Sequence, residues 1–186
     1  MRVGQLNVGP VVSRRLSLVV RLICGSVMLV SLKDFLTSGQ FGPVLFGCDR
    51  LQLESTVGQP EATGGVSRKY RRPVIWKYGD VEFFFSRTSN KLETVHLDRF
   101  TDANGTPQGW GGLQIDPWVI RRGIAEAEFA DALEAAGIAY TVRPKPEWIQ
   151  ETVVVASGVE IGFKCAPDEF SDFVGLFHLT RQVIGA

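Results

Sequence analysis

Residues 74–85, "VIWKYGDVEFFF", restrict the fold of this chain more than any other stretch. Val74, Trp76 and Tyr78 alternate with Ile75 and Lys77, and Val81, Phe83 and Phe85 alternate with Glu82 and Phe84. A period of two marks β-strands with one face toward a core. "SRTSNK" then reads as a turn and "LETVHL" as the return strand. A second stretch, "SGVEIGF" at 157–163, repeats the Gly, the Val-Glu pair and the apolar run of "YGDVEFFF" at 78–85. The chain therefore reads as one unit built twice.

The first unit spans 28–100. "SLKDFLTSG" predicts a short helix ended by Gly39. Asp49 with Gln52 three residues on has the form of a capping box. Leu53 and Val57 lie one turn apart on the following helix, which Gly58 and Pro60 stop. The second unit spans 117–186. "GIAEAEFADALEAAG" is rich in Ala and Glu and predicts a helix closed by Gly137, with Phe129 and Leu133 one turn apart. "AYTVR", "ETVVVA", "VEIGFK" and "DFVGLFHL" read as strands. The units align with growing offsets: Gly47 with Gly123, Val57 with Leu133, Val81-Glu82 with Val159-Glu160, and "HLDR" at 96–99 with "HLTR" at 178–181. The chain's two histidines fall at matching positions. Residues 101–116 are rich in Gly and Pro and read as a linker, with Trp110 among the apolar residues that pack on something. The expected fold is α+β: two tandem similar units, each a short helix or helix pair on one face of an antiparallel sheet.

Residues 1–27 contain Arg2, Arg14, Arg15 and Arg21 and no acid. Of the chain's 20 basic and 20 acidic side chains, the remaining residues thus keep 16 and 20, a balance of −4. A mildly acidic body gives no footprint for nucleic acid. "SRRLSLVVRLICGSVMLV" has features of an export signal, but Arg21 interrupts the apolar run, which is too short to span a membrane. Residues 1–27 read as a disordered extension or a mis-set start ahead of Met28, and the location as cytoplasmic, with export if the segment is a signal. Cys24, Cys48 and Cys165 are widely spaced and read as free, mostly buried thiols.

The helix and strand pattern "FGCDRLQLESTVGQPE" followed by "VIWKYGDVEFFF" resembles the helix–sheet unit of the outer-membrane lipoprotein SmpA/BamE and of beta-lactamase inhibitor proteins, the latter a tandem of two such units. The resemblance covers about residues 35–180, although the inhibitor family's paired cysteines are not evident. The chain also looks like bacterial proteins that share "FGPV", a Gly-x-Pro and "WKYGDVE". The resemblance implies protein binding through a sheet face, without chemistry.

The residues themselves point the same way. "GWGG" at 109–112 lacks the context of a phosphate loop, and HExxH, paired CxxC and GxSxG are missing. No metal or cofactor is expected. Cys48 or Cys165 with a histidine base is the one nucleophilic arrangement to weigh, against the plainer reading of packed thiols and a strand histidine. If Val81, Phe83, Phe85, Val95 and Leu97, with Val159, Ile161, Phe163, Phe177 and Leu179, face the helices, then Phe84, His96, Leu176 and His178 face away. With Trp76 and Trp110 they form a candidate partner-binding surface, exposed or covered by the linker. Arg68, Lys69, Arg71 and Arg72 surround Tyr70 in "SRKYRRP" and form a basic patch, read either as an anion grip or as a solvated edge. The expected function is a non-enzymatic protein-binding or inhibitory module, a toxin-immunity protein being one form. The alternatives are a small-molecule-binding or hydrolytic enzyme with a pocket between the units, and an exported envelope structural protein.

The unit pattern begins after Met28, so truncating the chain to Met28 should leave the melting temperature nearly unchanged. A large drop in a thermal melt would show that the first 27 residues belong to the fold.

Overall fold

The alternation at 74–85 closes as an antiparallel hairpin. In this computed structural model β3 (Ile75–Tyr78) and β4 (Val81–Phe85) pair with Trp76 opposite Phe83 and Tyr78 opposite Val81. Gly79 turns the corner at φ +67°, and a Cβ there would lie 2.6 Å from the Gln108 carbonyl oxygen, so the turn and the 101–112 loop approach backbone to backbone. The structure describes residues 27–69, 71–144, 151–164 and 175–183, with backbone only at 144, 151 and 177.

Along the chain, β1 (Met28–Ser31), α1 (Leu32–Ser38) and α2 (Arg50–Val57) precede β2 (Ala62–Gly64), β3 and β4. Then come β5 (Leu92–Asp98), β6 (Leu113–Asp116), α3 (Glu126–Ala135), β7 (Tyr140–Pro144), β8 (Glu151–Val155), β9 (Glu160–Lys164) and β10 (Gly175–Gln182). The protein is α+β, with helices against a large antiparallel sheet. The predicted helix signals act as read. Asp49 and Gln52 form the reciprocal capping box of α2, and Gly39 ends α1 in the left-handed region at φ 74°. Gly137, at φ +68°, turns the chain away just after α3.

The two sets of strands form one sheet. Its eight strands run β2-β3-β4-β5-β10-β9-β8-β7, all antiparallel, and the two sets meet where β5 pairs with β10. In that pairing Leu97 lies opposite Leu179, with His96 opposite Thr180 and His178 opposite Asp98 on either side. "HLDR" and "HLTR" therefore occupy matching positions about one point. The register of the next strands differs from the sequence alignment. Val81 and Glu82 face Leu97 and His96, whereas Ile161 and Gly162 face Leu179 and His178. The register counterpart of Val81-Glu82 is thus Ile161-Gly162, two residues beyond Val159-Glu160. A shift of two leaves every side chain on its own face, so alternation alone does not detect it.

One face of the sheet carries the core. Tyr78, Val81, Phe83, Phe85, Val95, Leu97, Val153, Ile161, Phe163 and Leu179 are buried there with Leu53 and Val57 of α2 and Phe129 and Leu133 of α3. Rings meet edge to face: Phe41 lies 5.8 Å from Phe83, and Tyr78 lies 5.5 Å from Phe83. The Tyr78 hydroxyl donates to the Gly58 carbonyl at the end of α2, 2.8 Å away. Phe177 was expected in this inner set, but its side chain lies outside the described residues.

The segment 101–116 is tied into the fold. Leu113–Asp116 is β6, paired in parallel with β1 from Met28 opposite Leu113 to Ser31 opposite Asp116. The Asp80 side chain, 1% exposed, accepts from the Thr101 N–H at 3.1 Å, the Thr101 hydroxyl at 2.9 Å and the Gln108 N–H at 2.8 Å. The Asp80 N–H donates to the Gln108 carbonyl in return. A buried carboxylate with three donors closes the loop onto the β3–β4 turn. The expectation for residues 1–27 falls, apart from Val27, outside the described residues, as do Cys24, Cys165 and Tyr70.

Asp80→Ala leaves two backbone N–H groups and a hydroxyl without their acceptor. It should destabilise the protein by about 2–4 kcal/mol, because unsatisfied buried donors cost more than the net worth of their bonds. Urea unfolding measures this, and a change within about 0.5 kcal/mol, the range of an inert surface substitution, would remove Asp80 from this role.

Candidate functional site

The face of the sheet opposite the core carries a row of rings across three strands. Phe84 on β4 meets His96 on β5 edge to face at 6.2 Å, and His96 meets His178 on β10 at 5.4 Å with the rings tilted by 37°. The backbone explains the row. Glu82 is directly opposite His96, Phe84 is opposite Thr94, and residues two apart on a strand share a face. Beneath His178 lies Gly162. A Cβ on Gly162 would enter the His178 ring, so the glycine in "VEIGF" is the space in which that ring rests. His96 thus stands between Glu82 and Thr180 in the sheet, and His178 between Asp98 and the bare backbone of Gly162.

The charges around His96 are arranged closely. Its Nε2 is 3.9 Å from Asp98 Oδ2, and Glu82, opposite it, is 3.7 Å from the Lys77 Nζ. Burial lowers the His96 pKa below the ordinary histidine value, against the opposing pull of Asp98 and Glu82. The ring is thus held neutral although two carboxylates are near.

Three of the expected partner-binding residues, Phe84, His96 and His178, come together here. Three do not. Trp76 is on the core side, 9% exposed and 5.5 Å from the Phe85 ring, because its place opposite Phe83 gives it that residue's face. Leu176 is fully buried. The β9–β10 register slips between Leu176 and His178, and this bulge gives Leu176 the same side as Leu179 although they are three apart. Trp110 is 49% exposed in the loop that Gln108 ties to Asp80. The linker is thus anchored at the β3–β4 turn. Strict alternation misassigned Leu176, and no local signal reveals a bulge in "GLFHL". The pairing of Trp76 with Phe83 was readable from the hairpin itself.

Cys48 is a free thiol in the core, beside α2 and next to Val44 and Leu53, and burial followed by the Asp49 charge raises its pKa. It remains a protonated thiol on the helix side of the sheet, whereas His96 stands on the other. The nucleophile–base pair considered in the sequence is not assembled with Cys48. Among the described residues no group of three or more His, Cys, Asp and Glu side chains is placed to hold a metal ion, and no described helix is long and apolar enough to cross a membrane.

The basic patch borders a concavity. Lys69, Arg71 and Arg72 meet Arg50 of α2 and Arg87 of the β4–β5 turn around a concavity of about 240 Å³. Ser86, Thr88 and Asn90 complete its polar lining, and no carboxylate lines it among the described residues. Arg68 is exposed on the same loop and outside the lining. Arg50 is held in place: its guanidinium lies 4.2 Å from the Phe85 ring centre and donates to the Pro73 carbonyl and to Asn90 Oδ1. Arg50 and Arg87 were missed in the sequence because they lie far along the chain from "SRKYRRP".

Comparison with protein-family models, with curated proteins and with solved structures finds no match to this chain.

The His96 shift has a definite sign. Its folded pKa lies below the unfolded value, so the neutral ring favours the fold above the unfolded pKa of about 6.5, and that contribution is lost as pH falls through it toward the folded value. His96→Gln should therefore reduce the loss of melting temperature between pH 7.5 and 5.5 relative to wild type. Equal losses in the two proteins would show that His96 does not titrate in this way.

Proposed function

We propose that this protein is a non-enzymatic binding module that holds another protein on the outer face of its sheet, with inhibition of that partner as the consequence. The observation that carries the reading is the row Phe84–His96–His178, half-buried and contiguous on a face to which the described helices contribute nothing. Rings fixed by strand geometry offer contact area with little conformational entropy left to lose, which suits a recognition surface. The resemblance of the sequence to a tandem inhibitor-type unit supports the same reading, and a toxin-immunity protein is one form such a module takes. The hydrolytic alternative gains nothing from Cys48, a raised-pKa thiol on the far side of the sheet from His96.

A photo-crosslinking residue placed at Thr94 or Thr180, both on the outer face, tests the proposal in cells, with exposed Leu51 of α2 as control. A discrete protein adduct should form from the first two positions and not from Leu51. Phe84→Ala and His96→Ala should fold normally and weaken binding of that protein by about tenfold or more, the cost of truncating a central contact residue. Crosslinks from Leu51 alone, or unaltered binding by both variants, would place the recognition surface elsewhere. A toxin gene adjacent to this one would give the partner for the same assay.

A further inference from the structure

The basic concavity lies beside the β4–β5 turn and the 65–74 loop, and it is independent of the outer-face row. We propose that it is a phosphate-binding site, taking inorganic phosphate or the phosphoryl group of a small phosphomonoester. Five cationic side chains, Arg50, Lys69, Arg71, Arg72 and Arg87, converge on a space of about 240 Å³ with no acid in its described lining. The Arg72 charge acts on Arg50 across this space, and a dianion entering it relieves that repulsion more than a single carboxylate does.

Arg50 gives the site its fixed point. Stacking on Phe85 and bonds to Pro73 and Asn90 hold the guanidinium plane before any ligand arrives. Those two bonds use two of its five N–H donors, and its Nε is buried with no partner among the described residues. Burial and the nearby Arg72 charge both lower the Arg50 pKa, in keeping with a cation set in a positive, partly desolvated place. The Ser86, Thr88 and Asn90 side chains add short polar groups of the kind that accompany arginine at phosphoryl oxygens. Within the turn that carries them, Ser86 Oγ accepts from the N–H groups of Thr88 and Ser89. Arginine in a fixed fork suits the several oxygens of a phosphoryl group.

The shape and the surroundings select a small ligand over a polymer. The cations line one concavity, and the chain from Met28 onward has a balance of −4, which opposes a long polyanion and leaves a single anion free to enter.

Titration of the full chain with inorganic phosphate at constant ionic strength, followed by amide NMR, tests the proposal. Malonate, glycerol phosphate and a single-stranded oligonucleotide serve as parallel arms. Saturable shifts centred on residues 86–90 and on Arg50 are expected with phosphate, with glycerol phosphate equal to it if the free ion is the ligand and tighter if an ester is. Arg71→Gln together with Arg72→Gln, both at exposed positions, should weaken phosphate binding by about tenfold or more and abolish the rise in melting temperature that phosphate gives wild type. The wild-type titration decides the matter by itself if that double variant fails to fold. Absence of saturation, malonate binding as well as phosphate, or an oligonucleotide that binds more tightly and is not displaced by phosphate would each overturn the assignment.

Discussion

The antiparallel pairing of β5 with β10 is the contact on which the architecture rests. It joins two four-stranded sets into one sheet and places Leu97 opposite Leu179. Separate sheets would each leave a hydrophobic strand with unpaired backbone groups at an edge. Joined, they present one inner face, and helices α2 and α3 cover it with rings and aliphatic side chains. Loss of that pairing would open the core along its length and also separate His96 from His178, so the outer surface owes its continuity to the same ladder of hydrogen bonds.

The two candidate surfaces depend on the scaffold differently. The outer row is a product of strand register: the β4–β5 and β5–β10 ladders fix where Phe84, His96 and His178 stand. The basic concavity is a product of chain crossing, where the first turn of α2, the 65–74 loop and the β4–β5 turn converge on Arg50. Each can be altered without disturbing the other, since no residue belongs to both.

Much of the fold was legible because its signals were local. Asp49 with Gln52, Gly39, Gly58 and Gly137 mark helix ends by chemistry that acts within a few residues. The alternation at 81–85 and 95–97 gave the core side correctly because those strands are regular. What stayed hidden was non-local. "MLVS" read as the approach to a helix, and becomes β1 only because "LQID", in a glycine-rich segment, supplies a parallel partner more than eighty residues later. Leu176 was misplaced by a bulge that depends on β9. Asp80 was in view from the start, in "YGDVEFFF", but its role as acceptor for Thr101 and Gln108 needed the return of a distant loop.

Those long-range ties bear on how the chain reaches its fold during synthesis. Strand β1 waits for residues 113–116, and the Leu36 carbonyl at the end of α1 receives its bond from the Ser157 hydroxyl, 121 residues away. The first half of the chain therefore leaves the ribosome with its opening strand and helix still lacking the surfaces they pack on. A nascent chain whose residues up to about 100 have cleared the exit tunnel would hold the β3–β4–β5 meander with β5 as an open edge, a species suited to chaperone capture and to mispairing with its own copies. Contacts of such long sequence separation predict slow folding, because large loops must close before the opening strand and helix gain their partners.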